Sequence, residues 1–321
     1  MNKLYEIDLH MHSLLSDGKE SPVEVVNKAA EVGLKKICLT DHNTVHPSYD
    51  RLREYAKTKG VEVLPFSGCE ASVVYYENGK PIYIFHMLVY GDDKAIRDER
   101  FTSAVGSYYN RSLEVATKQY ECLKKSGVDI SWDEMFMYDT DIAPIEKMDK
   151  ESEDHIAKCL AKKLNISLDE VFEKYGKELE HPAFTSRKWM LHLSQHADAV
   201  ELISLANELG LVTVVAHPRW IDVVFDCDKH RKTNEEKAKL IRCLREAGLD
   251  GIEVCHQLVH DEDKVFFTEL AEELGMITTG GSDYHAEEDY GSHLTEFGVS
   301  EEGLKKLCDL MDKKKAKATG K

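Results

Sequence analysis

Histidine and carboxylate side chains that can bind a metal ion occur along this chain in two closely spaced pairs. His10 and His12 are separated by one residue and follow an apolar run, and Asp283 and His285 have the same spacing after another such run. Because side chains alternate along a strand, both members of each pair would lie on one face. These four residues are therefore the first candidates for metal ligands.

Further candidates stand at the ends of other short runs rich in β-branched residues. A single histidine at a strand end is usually an ordinary polar residue, but five of the seven runs lead into a potential ligand and a sixth contains His86. The nine candidates are His10, His12, Asp17, His42, Glu70, His86, His217, Asp283 and His285. Nine ligands exceed what one ion needs, so we expect two or three ions with a carboxylate bridging between them.

These candidates supply imidazole and carboxylate groups but no thiolate. Such ligands favour Mn²⁺, Fe²⁺ or Zn²⁺ in an open catalytic site over a closed structural zinc site. Clustered ions lower the pKa of bound water and clamp the attacking and leaving oxygens of an in-line displacement. The pattern therefore predicts a hydrolase in which metal-bound hydroxide cleaves a phosphate ester, with Glu70, Asp283, His217 and Arg219 as the catalytic residues.

A phosphate group needs positive charge beyond the metal ions. Arg219, two residues after His217, is the first candidate, since a guanidinium can bind two phosphate oxygens at once. Arg187 and Lys188 are an alternative, although such a pair usually only marks the start of a helix. His256 follows the remaining run and could contact the substrate or stand only at the rim of the site.

Two acidic residues could orient metal-bound imidazoles without binding an ion themselves. Asp41 directly precedes His42 and would hold its ring, an arrangement typical of metal-bound histidine. Glu253 lies inside the run that ends before His256 and is a weaker candidate for the same role.

The segments that carry these residues are predicted to be strands alternating with helices. The strand candidates span residues 4–9, 36–40, 61–66, 82–90, 211–216, 251–255 and 276–280. Helices are predicted at 22–32, 234–247, 261–274 and 301–312, the first after a Ser21 cap and before Gly33. Short connections favour parallel βαβ units, and hence a barrel or a large open sheet. In a parallel barrel, functional residues converge at the carboxyl ends of the strands.

The middle of the chain has a different pattern. From residue 94 to about 195 nearly every segment has helical periodicity. We therefore predict a body formed by residues 1–93 and 211–321, interrupted by a mostly helical insertion at 94–210. Before that insertion, Asn78-Gly79 predicts the turn of a hairpin without a catalytic role.

Composition restricts the class of protein further. The chain has 321 residues, and 42 basic against 59 acidic residues give a net charge of −17, which disfavours binding to duplex nucleic acid. Residues 1–15 do not resemble a secretory signal, and no stretch approaches the roughly 20 apolar residues of a membrane-spanning helix. Eight cysteines without a Cys-x-x-Cys pair predict reduced thiols in the cytoplasm. The lysine-rich tail at 313–317 is predicted to be a solvated and frayed end.

Taken in order, these residues resemble the full motif set of the PHP (polymerase and histidinol phosphatase) family. The motifs are Leu9-His10-Met11-His12, Ser16-Asp17-Gly18, Leu39-Thr40-Asp41-His42, Gly68-Cys69-Glu70, His86, Ala216-His217-Pro218 and Gly281-Ser282-Asp283-Tyr284-His285. The resemblance implies an α/β fold, namely a distorted seven-stranded (β/α) barrel whose helical insertion covers the barrel mouth. It also implies that the substrate is a small phosphorylated molecule, such as a nucleotide or a sugar phosphate.

The same resemblance implies a trinuclear site. The first ion would be bound by His10, His12, Glu70 and Asp283. The second would be bound by Glu70, His86 and His217, so that Glu70 bridges the two ions. The third would be bound by Asp17, His42 and His285. The expected reaction is hydrolysis of a phosphate monoester or a cyclic phosphate diester.

Several rival functions stay open. A histidinol-phosphate phosphatase would use the same chemistry on another substrate. Metal-dependent amidohydrolases and deaminases also begin with an H-x-H pair, but they usually need a carboxylated lysine, and Glu70 takes the bridging position here. A degenerate ligand set would indicate a non-enzymatic scaffold, whereas this set is intact. Glu153 and Asp154 replace an Arg-Thr pair of related nucleotide-bisphosphate phosphatases, which favours a substrate with fewer phosphates.

Overall fold

The computed structural model describes residues 4–13, 15–45, 49–129, 160–161, 163–179, 196–223, 233–286 and 294–320. Its strands are β1 (Ile7–Met11), β2 (Lys36–Leu39), β3 (Glu62–Val63), β4 (Ser67–Glu77), β5 (Lys80–Gly91), β6 (Ala197–Asp198), β7 (Val212–Val215), β8 (Asp222–Val223), β9 (Gly251–Cys255) and β10 (Ile277–Gly280). Its α-helices are α1 (Pro22–Val32), α2 (Tyr49–Thr58), α3 (Asp93–Ile96), α4 (Glu99–Lys125), α5 (Leu168–Leu179), α6 (Ala199–Leu209), α7 (Asn234–Glu246), α8 (Asp261–Glu273) and α9 (Glu301–Ala318).

The described strands form two sheets. β1, β2 and β3 make a parallel sheet, and the order in the larger sheet is β10-β9-β7-β5-β4-β6, with β8 paired to β5. β10, β9 and β7 run parallel to one another, but β5 is antiparallel to both β4 and β7. The larger sheet is therefore mixed, and the prediction of parallel βαβ units is wrong for β4 and β5.

A tight hairpin joins β4 to β5. Asn78 and Gly79 have φ angles of 51° and 74°, the positive values that a two-residue hairpin turn requires, so the predicted turn is confirmed. Glu70 lies inside β4, opposite Leu88, and His86 lies inside β5. These two candidate ligands therefore come from the interior of neighbouring antiparallel strands and not from the ends of parallel strands.

Isolated bridges link the two sheets. Met11 at the end of β1 pairs with Tyr284 beyond β10, and His42 beyond β2 pairs with Glu70 in β4. Each link is a single residue pair and not a ladder, so the strands described here do not form a closed barrel. The α/β class is confirmed, whereas the seven-stranded barrel is not.

An apolar core fills the space between the sheets. Leu9 of β1, Leu88 and Tyr90 of β5 and Val214 of β7 belong to it, and α9 adds Leu307. Tyr90 also donates a hydrogen bond from its hydroxyl to the carbonyl oxygen of Leu9 at 2.9 Å. Full burial of such side chains contributes about 1.5–3 kcal/mol each. This packing holds together the strands that carry the candidate ligands.

Local sequence signals determine where α1 begins and ends. Ser21 and Glu24 form a capping box, in which each side chain accepts a hydrogen bond from the backbone of the other. Pro22 occupies the first turn, and Gly33 ends the helix with a φ of 87°. The predicted limits of this helix are confirmed.

The C-terminal helix departs from its prediction. α9 continues to Ala318, so the lysine-rich tail is helical and not frayed. Lys314 forms an ion pair with the largely buried Asp250, and Lys315 pairs with Asp92 at 2.9 Å. These partners are distant in sequence, which is why charge pattern alone did not predict the longer helix.

The range predicted as an insertion contains elements of two kinds. α4 follows β5 and the short α3, and α5 packs against α4. In contrast, β6 pairs with β4, and α6 contributes Leu202 and Ile203 to the core of the larger sheet. The division of the chain at residues 94 and 210 stays a prediction.

Two further predictions concern membrane-spanning helices and the state of the cysteines. No described helix combines the length and the apolar character that crossing a bilayer requires. The described cysteines are free thiols, namely Cys38, Cys69, Cys122, Cys243, Cys255 and Cys308.

Candidate metal centre

The nine candidate ligands converge where β1, β2, β4 and β5 approach the loops after β7 and β10. Eight of them belong to groups whose ligand atoms lie within 4.8 Å of one another. His217 joins them through Glu70, since its Nε2 lies 2.9 Å from Glu70 Oε1. The structure therefore brings together every ligand predicted from the sequence, and the role of each in binding metal stays a prediction.

The innermost group surrounds one oxygen of Glu70. His10 Nε2, His12 Nε2 and His42 Nδ1 lie 3.1, 3.0 and 3.4 Å from Oε2 of Glu70. That oxygen is buried and has no hydrogen-bond partner among the described residues. Oδ1 of Asp283 adds a further oxygen 3.3 Å from His10 Nε2. Nitrogen and oxygen lone pairs that face one another in this way fit a bound divalent cation.

The other oxygen of Glu70 faces a second group. Oε1 lies 3.2 Å from His86 Nδ1 and 2.9 Å from His217 Nε2. Because its two oxygens face different imidazoles, Glu70 is placed to bridge two ions, as the sequence predicted.

A third group forms around Asp17. Its Oδ1 lies 3.1 Å from His285 Nε2, and its Oδ2 lies 3.5 Å from His42 Nε2. His12 Nδ1 approaches the same carboxylate at 3.6 Å, so its ring stands between the first and third groups. These ligands match those predicted for a third ion.

Electrostatic interactions keep the central carboxylates ionised. Burial raises the pKa of the Glu70 carboxyl, but the charges of His10, His42 and His86 outweigh burial and hold that pKa well below its usual range. Burial lowers the pKa of His12, yet the nearby carboxylates of Asp283 and Glu70 outweigh burial and raise the pKa to about 10. Since a protonated imidazole cannot bind a metal, cation binding at this cluster requires the neutral ring of His12.

Glu253 supports the cluster from inside β9. Its side chain is fully buried, and Oε1 lies 3.0 Å from Nδ1 of His10. Its Oε2 accepts a hydrogen bond from the backbone N–H of His217 at 2.9 Å. The sequence marked Glu253 only as a weak candidate, because nothing in it brings residues 10, 217 and 253 together.

Asp41 has a different role from the one predicted. Its carboxylate accepts hydrogen bonds from the backbone N–H of Ser13 at 2.7 Å and from the hydroxyl of Ser16 at 2.9 Å. Ser16 Oγ lies 3.3 Å from Nδ1 of His12. Asp41 therefore supports His12 through Ser16, and the prediction that it orients the ring of His42 is wrong. The sequence did not indicate this role for Ser16.

The backbone at two candidate ligands is unusual. His217 and Asp283 have φ angles of 23° and 55°, and strain of this kind costs about 1–3 kcal/mol at a residue other than glycine. The N–H of Asp283 donates to the carbonyl oxygen of His10 at 2.9 Å, which helps to hold this conformation. At Gly281 a Cβ atom would lie 2.3 Å from Cβ of His10, so only glycine permits this close approach.

Exposure defines the open side of the cluster. The side chains of His10 and His12 are 0% exposed, whereas those of Asp17 and His86 are 43% and 31% exposed. A substrate would therefore approach over Asp17 and His86, with His10 and His12 at the base of the site.

Arg219 stands on a short 3₁₀ helix, Pro218–Trp220, directly after His217. It lines a cleft of about 750 Å³. The amine of the buried Lys237 donates to the backbone carbonyl of Arg219 at 2.7 Å and holds this turn against α7. The cleft is also lined by Asn234, Gln257, Val259, His260, Asp261, Glu262, Asp263 and Phe297.

The remaining candidates for substrate binding have different positions. His256 is 1% exposed, and its Nε2 lies 3.3 Å from Oδ2 of Asp283. The backbone N–H of Leu258 donates to Nδ1 of His256 at 3.0 Å. This ring therefore lies behind Asp283 rather than at an exposed rim. Outside the described part of the chain lie Glu153, Asp154, Arg187 and Lys188.

The profile of one protein family, described as the PHP domain, matches residues 8–181, which is more than half of the chain. Three proteins are similar over most of their length. A phosphoribosyl 1,2-cyclic phosphate 1,2-diphosphodiesterase of Eggerthella lenta is 26% identical over 87% of this chain and 93% of its own. A 5'-3' exoribonuclease of Haemophilus influenzae is 26% identical over 89% and 91%. A 3',5'-nucleoside bisphosphate phosphatase of Chromobacterium violaceum is 29% identical over 87% of each chain.

Solved structures show the same fold. A Bifidobacterium adolescentis protein, provisionally named a metal-dependent phosphoesterase, has a TM-score of 0.64 and 21% identity, over 95% of this chain and 96% of that one. A Chromobacterium violaceum protein described as an amidohydrolase, with bound sulfate and no metal, has a TM-score of 0.62 and 23% identity over the same shares. At these identities the likeness concerns the fold alone.

Proposed function

Because the chain belongs to the PHP domain family, we propose that it is a metal-dependent phosphoesterase that hydrolyses a phosphate monoester or cyclic diester of a small molecule. The observation that carries this proposal is the convergence of nine imidazole and carboxylate side chains around Glu70. Two relatives named for cyclic phosphate and nucleoside bisphosphate substrates support this substrate class.

Two to three divalent ions, Mn²⁺, Fe²⁺ or Zn²⁺, would be held by these ligands. We assign the first ion to His10, His12, Glu70 and Asp283. We assign the second to Glu70, His86 and His217, and the third to Asp17, His42 and His285. Bound there, such ions act as Lewis acids and lower the pKa of water.

The hydrolysis joins a water oxygen to phosphorus while the ester P–O bond breaks, and a proton from that water ends on the departing alcohol. Glu70 and Asp283 remain ionised in the interior and fix the positions of the imidazoles around them. Nε2 of His217 faces Oε1 of Glu70, the oxygen that does not face His10 and His12. Arg219 would bind the non-bridging phosphate oxygens, where charge is concentrated in the transition state.

The cleft beside Arg219 is the proposed place for the organic part of the substrate. Its lining is polar and includes Asp261, Glu262 and Asn234. Carboxylates and amides accept hydrogen bonds from hydroxyl groups, whereas carboxylates repel a second phosphate. The indole of Trp220 is 43% exposed beside His217 and offers an aromatic face to a ring of the substrate. These features favour a nucleoside or sugar that carries a single phosphoryl group.

We propose three further features, which concern the barrel, the insertion and the cellular setting. The bridges Met11–Tyr284 and His42–Glu70 support a distorted barrel in which β1 and β2 complete the larger sheet. Helices α4 and α5 support an insertion at 94–210 that covers the mouth of this barrel. The free thiols support a cytoplasmic setting.

The decisive experiment is a phosphate-release screen with added Mn²⁺. The panel contains nucleotides, sugar phosphates, cyclic phosphates and histidinol phosphate, and cyclic substrates are followed by ring opening. We expect turnover that a chelator removes and Mn²⁺ restores. Ammonia released from amides or nucleobases, without phosphate ester cleavage, would instead support an amidohydrolase or deaminase. Metal-loaded protein that turns over nothing in the panel would support a non-enzymatic scaffold.

A further inference from the structure

Glu253 occupies the middle of β9, behind the candidate metal ligands, and both of its oxygens are engaged. Oε1 lies 3.0 Å from Nδ1 of His10, which stands on β1. Oε2 accepts the backbone N–H of His217, which follows β7, at 2.9 Å. One buried carboxylate therefore connects two segments that contribute to different groups of the cluster.

The contact with His10 determines which ring nitrogen carries the proton. An ionised carboxylate only accepts hydrogen bonds, so Nδ1 of His10 must donate to it. In the neutral ring Nε2 is then unprotonated, and its lone pair faces Glu70 Oε2 at 3.1 Å and Asp283 Oδ1 at 3.3 Å. This is the tautomer that can bind a metal ion at the first group.

The contact with His217 restricts which side chain can stand at position 253. A backbone N–H cannot act as an acceptor, so the atom of residue 253 that faces His217 must be an acceptor. The backbone of His217 has a φ of 23°, and this hydrogen bond holds it in that conformation. Residue 253 thus needs two acceptor atoms, a condition that only a carboxylate meets.

We propose that Glu253 is a positioning residue that sets the metal-binding tautomer of His10 and holds the backbone of His217 through the same carboxylate. The proposed function gives Glu253 no part, and this inference rests on the metal site proposed there but on no particular substrate. Its consequence is that two of the three proposed metal groups depend on one side chain that belongs to none of the three.

Glu253→Gln tests this inference with almost no change of volume. Glutamine has one acceptor and one donor group, and the N–H of His217 requires the acceptor. The amide NH₂ then faces Nδ1 of His10 and forces the proton onto Nε2, where it blocks metal binding. We expect zinc binding at one site to weaken about 10–100-fold, the range for loss of such a supporting contact. The count of tightly bound zinc per chain should fall by about one.

A matched control is Asp250→Asn, which removes another largely buried carboxylate just before the same strand. Asp250 accepts the backbone N–H of Thr213 and pairs with Lys314, and it does not contact the cluster. This variant should keep the zinc count of the wild type. The measurement is zinc content after dialysis, together with titration against a chromogenic zinc chelator.

The double variant His10→Asn with Glu253→Gln separates positioning from general damage. If Glu253→Gln acts through the ring of His10, it should weaken zinc binding no further once that ring is gone. Additive losses would overturn the proposal, as would wild-type zinc affinity in Glu253→Gln alone. Wild-type protein that binds no zinc would contradict the proposed metal site instead, so the two failures are distinguishable.

A measurement on the unaltered protein keeps the inference testable if the variants do not fold. In zinc-loaded, ¹⁵N-labelled wild type, ring-nitrogen chemical shifts distinguish protonated from metal-bound nitrogen. The signals of His10 are assigned by coupling to the backbone. We expect a protonated Nδ1 and a metal-bound Nε2 for His10. The reverse pattern would overturn the proposal.

Discussion

Nε2 of His217 lies 2.9 Å from Oε1 of Glu70, although β5 separates β4 and β7 in the sheet. The contact is possible because His217 lies just beyond the end of β7, where its φ of 23° departs from the strand conformation. Glu70 consequently contacts imidazoles that are carried by different segments of the chain. A substitution of Glu70 is therefore the first test of the site.

Glu70→Gln should reduce both metal content and turnover. The change keeps the size of the side chain but removes the negative charge that two ions would share. Loss of a supporting contact alone costs about 10–100-fold in affinity or activity, so loss of the bridge should cost at least that. Elemental analysis and steady-state kinetics would measure the two effects. Glu77→Gln, on the exposed end of the same strand, is the control, and near-normal turnover in Glu70→Gln would refute the bridging role.

Arg219→Ala should lower kcat/KM for the phosphate ester. A hydrogen bond to a charged group is worth about 1.5–3 kcal/mol, which corresponds to roughly a ten- to hundredfold loss. Arg219→Lys should recover only part of it, because the ammonium lacks the two-pronged geometry. Arg242→Ala removes an exposed arginine paired with Glu273 and should change nothing. If both Arg219 variants match the wild type, another group binds the phosphate.

Asp8→Asn should stabilise the metal-free protein, and only above mildly acidic pH. Burial raises the pKa of Asp8 from 3.8 to about 6, although hydrogen bonds from Ser282 and His10 oppose this. The unfolded chain therefore ionises first as pH rises, and the folded protein loses stability between about pH 4 and 6. At about 1.4 kcal/mol per pKa unit, the cost above that window is about 3 kcal/mol.

The measurement for this prediction is thermal unfolding with a chelator present, at several pH values. The gain in Tm from Asp8→Asn should be largest at pH 7 and should vanish near pH 4. A gain that does not depend on pH would show that Asp8 acts through packing rather than through its charge.

The preferred substrate should carry one phosphoryl group rather than two separate ones. The resemblance to the PHP family predicts that Glu153 and Asp154 take the places of an arginine and a threonine in bisphosphate phosphatases, and the cleft beside Arg219 adds Asp261 and Glu262. Like charges about 4 Å apart repel by about 4 kcal/mol in a partly exposed site. Sugar phosphates, cyclic phosphates and a 3',5'-nucleoside bisphosphate should be compared under identical Mn²⁺ conditions. A clear preference for the bisphosphate would contradict this prediction.

Much of the candidate site can be predicted from the sequence because several of its ligands are close together in the sequence. Period-two spacing places His10 and His12 on one face, and Asp283 and His285 repeat it, so each pair is evident without knowledge of the fold. Glu70 was expected beyond the end of a parallel strand, whereas it lies inside β4, next to the β5 strand that carries His86. Both belong to one antiparallel hairpin, and its β4 strand begins later than the apolar run suggested.

Contacts that span the chain could not be predicted in this way. Glu253 acts on His10, 243 residues away, and on His217, 36 residues away. No spacing rule connects such positions, since the pairing depends on the order of β1, β7 and β9 in space. Asp41 shows the converse, because its nearness to His42 in sequence suggested a contact that the turn through Ser13 and Ser16 replaces.

The single bridges between the two sheets have a consequence for local opening of the backbone. At Met11–Tyr284 and His42–Glu70 the backbone supplies only isolated pairs, while ligands of the same proposed ions stand on both sides of each junction. Bound cations would therefore connect the two sheets at both junctions. Without them, amide hydrogens along these junctions should exchange with solvent sooner than those in the β4–β5 ladder.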